Sequence, residues 1–415
     1  MVSSHPDPSA PDSLDSAYSW FRLAVTLLIA TIGSVGIWAY ISVLPAVEAE
    51  FATGRGASSA PYAVTMLGFA CGNFIMGRVV DRFGAARAQM AAAGVLAAGF
   101  AAASIAPSMP VLIAVHAVVG FGSSVSFGPL MADISHWFIR RRGIAVTVTA
   151  SGNYLAGAIW PLLLSDVLAE AGWRQVYLIL AVIVISAVAP LSLLLRRRAP
   201  AAALAKAGAE ARAAAMTAGL SPRALQWLLM LAGLACCTAM AMPQVHIVAY
   251  CVDLGYGPAA GAEMLSLMLL GGVVSRVASG ALADWIGGAR TLVLGSALQG
   301  VALLFYLPYD GLVSLYIVSA VFGLSQGGIV PAYAIIVREY MAPEEAGSRV
   351  GIVIMSTILG MALGGWMSGW IYDLTGSYAM AFLNGFAWNV LNLGVVLLLI
   401  FRSRPRRGSP VAVSA

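Results

Sequence analysis

One arginine interrupts the apolar run "LMLLGGVVSRVASGALADWIGG", residues 267–288. Arg276 stands eight residues before the first carboxylate of that run, Asp284. If the run is a membrane helix ending at Asp284, a rise of 1.5 Å per residue puts the guanidinium about 12 Å into the hydrocarbon. Leaving an arginine there costs roughly 2.5–3.5 kcal/mol on insertion scales, so such a charge signals a partner or a function. A guanidinium binds a carboxylate bidentately and stays charged in a dry cavity. Arg276 therefore reads as the anchor for a substrate anion. The competing reading is a structural arginine that snorkels to water or pairs with Asn, Ser or backbone carbonyls.

Groups able to carry a proton are few. His246, in "PQVHIVAY", and His116 have the right side-chain chemistry, although a lone membrane histidine more often packs and hydrogen-bonds. Asp133, seven residues before the triplet Arg140–Arg142, reads first as part of a structural network with the 77–87 segment and second as a coupling residue. Glu263 and Asp253 are expected to face outer water. Around Arg276, Trp38, Asn153, Tyr154, Gln326, Tyr333 and Trp366 are candidates to shape a cavity, though interhelical hydrogen bonding explains each as well. Gly152 and Gly157 should bring the segment around Asn153 and Tyr154 close to another helix.

Enzyme chemistry finds no support. H-E-x-x-H, C-x-x-C and Walker phosphate-loop patterns do not occur in the sequence, so neither a metal nor a cofactor is expected. The one G-x-S-x-G match, "GLSQG" at 323–327, lies in an apolar run and not at a strand-to-helix turn, so Ser325 reads as a packing residue. Cys71, Cys236, Cys237 and Cys251 have no metal-ligand spacing and read as small hydrophobes. Any transport must then draw on a gradient.

These side chains need a scaffold, and composition specifies it. The 415 residues are 60% hydrophobic and only 10% charged, with mean hydropathy +0.88, far from the roughly one-quarter charged of soluble domains. Runs long enough to cross a bilayer are read at 21–46, 58–79, 87–106, 110–134, 143–168, 173–195, 225–250, 261–283, 289–307, 311–337, 347–372 and 378–401. Continuous apolar runs exclude a barrel and leave helices. The first run follows a polar stretch with Asp7, Asp12 and Asp15 and is not read as a cleaved signal. With the N-terminus inside, all of the twenty-three Lys and Arg except Arg55, Arg174 and Arg276 fall at the cytoplasmic face. That bias follows the positive-inside rule, so the net charge of +5 reports topology and not nucleic-acid binding. The expected location is a bacterial-type cytoplasmic membrane, with both termini cytoplasmic and the chain working as a monomer.

The polar break "RRRAPAAALAKAGAEARAAAMTAGLSPR" at 196–223 divides six helices from six. The expected organisation is a tail 1–19, a bundle 20–198, a linker 199–224, a bundle 225–402 and a tail 403–415. The halves share a phrase. "GRVVDRFGAAR" carries Gly77, Asp81, Arg82, Gly84 and Arg87; "GALADWIGGAR" carries Gly280, Asp284, Gly287 and Arg290, 203 residues later. Two copies at equivalent places point to a duplicated bundle and a cytoplasmic gate. In that gate glycine would allow close packing and a sharp turn, and Asp81 and Asp284 would engage a helix N-terminus or an Arg.

The duplicated phrase resembles the loop 2–3 and loop 8–9 signature of the major facilitator superfamily, with Trp285 where a basic residue is usual. Trp137 with Phe138, "TASGNYLAG", "GWRQVYLIL", "VHIVAYCVDLGYG" and "SRVASG" resemble the monocarboxylate porters and their bacterial relatives, near the oxalate–formate antiporters. The resemblance implies an all-α polytopic membrane protein of twelve transmembrane helices in two pseudo-symmetric six-helix bundles, the major facilitator fold. It implies a secondary carrier of small monocarboxylates such as lactate or pyruvate, coupled to protons, with Arg276 as the helix-eight arginine that holds substrate. Two departures stand out: Gly272 occupies the place of an acid found in many animal members, and Trp38 that of a lysine. An oxalate–formate type exchanger, a proton-driven exporter of other small molecules and a non-transporting receptor are the alternatives.

Overall fold

A computed structural model describes residues 14–138, 141–197, 222–340 and 343–402. The 199–221 part of the linker and the 403–415 tail lie outside the described residues, as do the side chains of Asp81 and Asp284. Regular structure among the described residues is helical throughout. Helix α1 spans Ala17–Phe51, α2 Arg55–Phe83, α3 Ala85–Ser104 and α4 Met109–Ile134. One unbroken assignment then runs to residue 193, but Gly172 sits at φ 80° and ψ 172°, which divides α5 (142–171) from α6 (173–193). The second half has α7 Pro222–Asp253, α8 Gly257–Ile286, α9 Gly288–Phe305, α10 Leu312–Val337, α11 Pro343–Thr375 and α12 Tyr378–Arg402. The twelve expected helices are present, most of them longer than their apolar runs. A helix continues until its backbone is turned, not until its hydrophobicity ends. Large apolar side chains such as Leu163, Val182, Val313 and Val277 are exposed around the outside, as lipid contact requires.

The duplication extends from sequence into backbone. Gly84 (φ 87°, ψ 158°) and Gly287 (φ 85°, ψ 157°) terminate α2 and α8 in the same left-handed turn, which only glycine adopts without strain. A side chain at Gly120 would lie 1.9 Å from the Thr65 carbonyl oxygen, and one at Gly323 would lie 2.0 Å from that of Met268. Thr65 and Met268, like Gly120 and Gly323, are 203 residues apart, so α4 lies on α2 as α10 lies on α8. Both α4 and α10 break mid-course. Helix α4 tightens to a 3₁₀ turn at Ser124–Ser126, and α10 loses its helical hydrogen bonding at 327–328. Ser325 lies at the α10 break within helix, its hydroxyl donating to the Phe322 carbonyl, among glycines that press α10 onto α8.

The halves meet along α2 with α11 and α5 with α8. At one end, called here the Arg55 face, Gly56 and Gly369 let α2 and α11 touch at Trp370 and Ser59. Along α5 and α8 the contact steps from Gly157 against Leu269, through Tyr154 against Gly272, to Ala150 against Arg276. Beyond Arg276, toward the basic face, a side chain at Gly280 would meet nothing within 4 Å, and the same holds at Gly77. The close packing expected of these first signature glycines is therefore absent among the described residues. Arg87 and Arg290 are exposed there, and Trp285 is 84% exposed.

Candidate functional site

Arg276 is buried, 4% exposed, where α5, α8 and α10 converge. Its Nε donates to the Gly327 carbonyl at 3.3 Å, an oxygen freed by the break in α10. Its Nη1 donates to the Ala150 carbonyl of α5 at 2.6 Å, across the junction of the halves. The guanidinium carbon lies 3.7 Å from the centroid of the Tyr154 ring, a cation–π contact. Nη2 donates to no described residue. The residue is thus structural on one edge and available on another. Its counterpart 203 residues earlier, Asn73, makes only the structural half of this arrangement: its Oδ1 accepts from the Gly128 N–H beside the break in α4.

Tyr154 organises the rest. Its ring fills the space beside Gly272, where a Cβ would lie 2.6 Å from a ring carbon. Trp38 meets it edge-on at 6.2 Å between centroids. The Tyr154 hydroxyl lies 3.5 Å from Gln326 Oε1 and 3.9 Å from Met240 sulfur. Gln326 Oε1 also accepts from Gln244 Nε2 at 2.7 Å. Sequence reading missed Gln244; its signal was an amide two positions before His246 in an apolar run. Asn153 is buried on the turn beside Tyr154 and makes no side-chain hydrogen bond among the described residues. Gly152 packs on Ala30 and Gly157 on Trp38, the close approaches expected of them.

Two candidates lie elsewhere. Tyr333 donates to Asn392 Oδ1 at 2.8 Å, and Asn392 donates to Ser296, which makes it part of a network joining α9, α10 and α12. Trp366 is 40% exposed and stacks on Trp370, so it faces outward.

The three proton candidates have different surroundings. His116 is held inside the first half by the Leu112 carbonyl at 2.8 Å and the Tyr177 hydroxyl at 3.1 Å. Asp133 pairs with Arg22 of α1 at 2.6 Å, and Arg22 stacks on Trp137. This partner replaces the expected network with the 77–87 segment as the contact the structure describes. His246 joins the Tyr378 hydroxyl at 3.1 Å and the Gly365 carbonyl at 2.7 Å.

Tyr378 leads to a hub on the Arg55 face. Arg55 donates to Glu48 of α1 at 2.5 Å, to both oxygens of Asp253 of α7 at 3.1 and 3.2 Å, and to the Tyr378 hydroxyl of α12 at 2.5 Å. Its guanidinium lies over the Tyr372 ring at 4.8 Å. The Asp373 carboxylate accepts the Arg55 and Gly56 backbone N–H groups at 2.7 Å each, capping α2 from α11. Asp253 is therefore engaged in a clasp between the halves and not simply facing water; Glu263 accepts from Tyr316 on the exposed surface. No spacing rule links Glu48, Arg55, Asp253 and Asp373, since the contacts span up to 318 residues.

The family model of the Major Facilitator Superfamily matches residues 26–314 and 264–415. The chain belongs to that superfamily. It is 28% identical over 377 residues to monocarboxylate transporter 13 of Bos taurus, covering 90% of this chain and 86% of that protein. It is 27% identical over 309 residues to monocarboxylate transporter 11 of Homo sapiens, covering 72% and 65%. Its fold matches a bacterial homologue of the human lysosomal transporter Spinster in an inward-facing, occupied conformation, with TM-score 0.72, 13% identity and coverage of 95% and 100%. It also matches the nucleoside transporter NupG with TM-score 0.70, 12% identity and coverage of 91% and 99%.

Proposed function

We propose that this major facilitator protein is a secondary carrier of small monocarboxylate anions, working by alternating access and coupled to protons. The observation that carries the reading is Arg276: a buried guanidinium at the junction of the halves, braced through Nε and Nη1 and with Nη2 uncommitted. A buried cation without an acid beside it favours an anionic ligand, because the ligand then supplies the missing charge. One such cation suits one carboxylate better than two. The similarity to monocarboxylate transporters supports the same substrate class.

With the basic face in the cytoplasm, the Arg55 clasp would close the outer side, while nothing among the described residues packs against Gly77 and Gly280 toward the inner side. Substrate would exchange with Arg276 from that side, and reversal would require the Arg55 contacts to part. Of the proton candidates, His246 is the one joined to the clasp, through Tyr378.

The test is uptake of labelled lactate, pyruvate and acetate by purified protein in liposomes, with and without a pH gradient. Arg276→Ala should insert and fold yet lose uptake. Arg276→Lys should bind far more weakly, because a point-charge ammonium cannot brace on the Gly327 and Ala150 carbonyls as the planar fork does while still presenting a donor to substrate. Uptake by Arg276→Ala equal to wild type would overturn the reading.

A further inference from the structure

The polar atoms around Tyr154 are not all matched. Gln244 Nε2 donates to Gln326 Oε1, which leaves Gln244 Oε1 and Gln326 Nε2 buried with no partner among the described residues. Both residues are fully buried. Exchanging O and N on both amides preserves the bond between them and still leaves one acceptor and one donor, so the conclusion does not depend on their orientation. The Trp38 indole N–H, which belongs to the ring edge-on to Tyr154, is also buried and unpartnered. Buried amides left half-satisfied are uncommon and costly, and here three orphaned groups from α1, α7 and α10 gather about one tyrosine.

We propose that the Gln244–Gln326 amide pair is a second substrate subsite that takes a neutral group able both to donate and to accept a hydrogen bond, such as a hydroxyl or a primary amide. The inference rests on Arg276 as the carboxylate anchor and names the other end of the same substrate. An amide pair that exposes one donor and one acceptor side by side matches a ligand group with the same pairing reversed. A purely aliphatic tail would leave both amide atoms unpaired, and a second carboxylate would find an acceptor it cannot use. The two ends of the ligand are one ring apart: the guanidinium lies over the Tyr154 face and Gln326 lies against its hydroxyl. An acid with a backbone of about four carbons spans that separation.

The experiment measures binding of isosteric acid pairs to the purified full-length chain by calorimetry. One pair is 4-hydroxybutyrate against pentanoate and the other is succinamate against 4-methylpentanoate. Wild type should prefer the polar member of each pair by about 10-fold or more, since a site built for hydrogen bonds rejects analogues lacking them. The Gln244→Leu/Gln326→Leu double variant removes both amides at similar volume and should erase or reverse that preference while still binding pentanoate. Equal wild-type affinity within both pairs overturns the subsite and leaves the carboxylate reading standing. Binding of none of the four acids by folded wild-type protein overturns the carboxylate reading itself. If the double variant does not fold, the wild-type pairs decide alone.

Discussion

The Tyr154 ring occupies the place that a side chain at position 272 would take: a Cβ on Gly272 would lie 2.6 Å from it. The two residues come from α5 and α8, on opposite halves, and the same ring carries the Arg276 guanidinium at 3.7 Å. Lack of an acid at 272 and the presence of an aromatic at 154 are therefore one feature. The ring stacks beneath the cation where an acid on α8 would have paired with it.

Gly272→Asp should overpack this junction. The tyrosine must leave its position, at a cost of about 1–3 kcal/mol, read as a lower thermal midpoint of the purified protein. Adding Tyr154→Ala should restore much of that stability. If the two substitutions destabilise additively, the contact is not what excludes a side chain at 272.

Tyr154→Phe keeps the ring and loses the long hydroxyl contacts to Gln326 and Met240, so carboxylate affinity should fall less than threefold. Tyr154→Ala removes the platform, worth about 1–2 kcal/mol for a desolvated cation–π pair, and affinity should fall about tenfold or more. Equal effects of the two substitutions in a binding titration would mean that the ring face is not the supporting element.

The Arg55 clasp gives a conformational prediction. Arg55→Ala strips the partly exposed Glu48 and Asp253 carboxylates of their partner, and losing charged hydrogen bonds of this kind costs about 1.5–3 kcal/mol. The cost falls on the state that closes the Arg55 face. Spectroscopic distances between labels on the α1–α2 and α7–α8 loops should lengthen. Unchanged distances would show that packing of α2 on α11 is sufficient without the ion pairs.

Proton coupling separates the three candidates. His246→Gln should abolish uptake driven by a pH gradient while substrate exchange at equal pH persists, because exchange needs no net proton movement. His116→Gln and Asp133→Asn should lower thermal stability, since each breaks contacts within the first half, and leave the ratio of driven uptake to exchange unchanged. Loss of driven uptake in Asp133→Asn alone would move the coupling site to the Arg22 pair.

Composition alone determined the class of this protein. Backbone hydrogen bonding in lipid leaves a chain this apolar one answer, helices, and apolar run length counted them. The repeated G-x-x-x-D-x-x-G phrase carried the duplication, because a left-handed turn at Gly84 and Gly287 demands glycine whatever the surroundings. Arg276 was legible for a similar reason: a lone charge at depth is costly wherever it points. What the tertiary structure decided is which polar groups share a site. Gln244 and Gln326 meet within the second half, Tyr154 joins them only because the halves pack at α5 and α8, and Arg55 finds Asp253 and Asp373 where the halves meet along α2 and α11. Tyr333, equally polar and equally plausible by sequence, turns to Asn392. A helix's period says which residues share its face, but not what that face meets. That is settled by glycine-lined contacts whose partners lie many tens to hundreds of residues away, beyond the reach of local pattern.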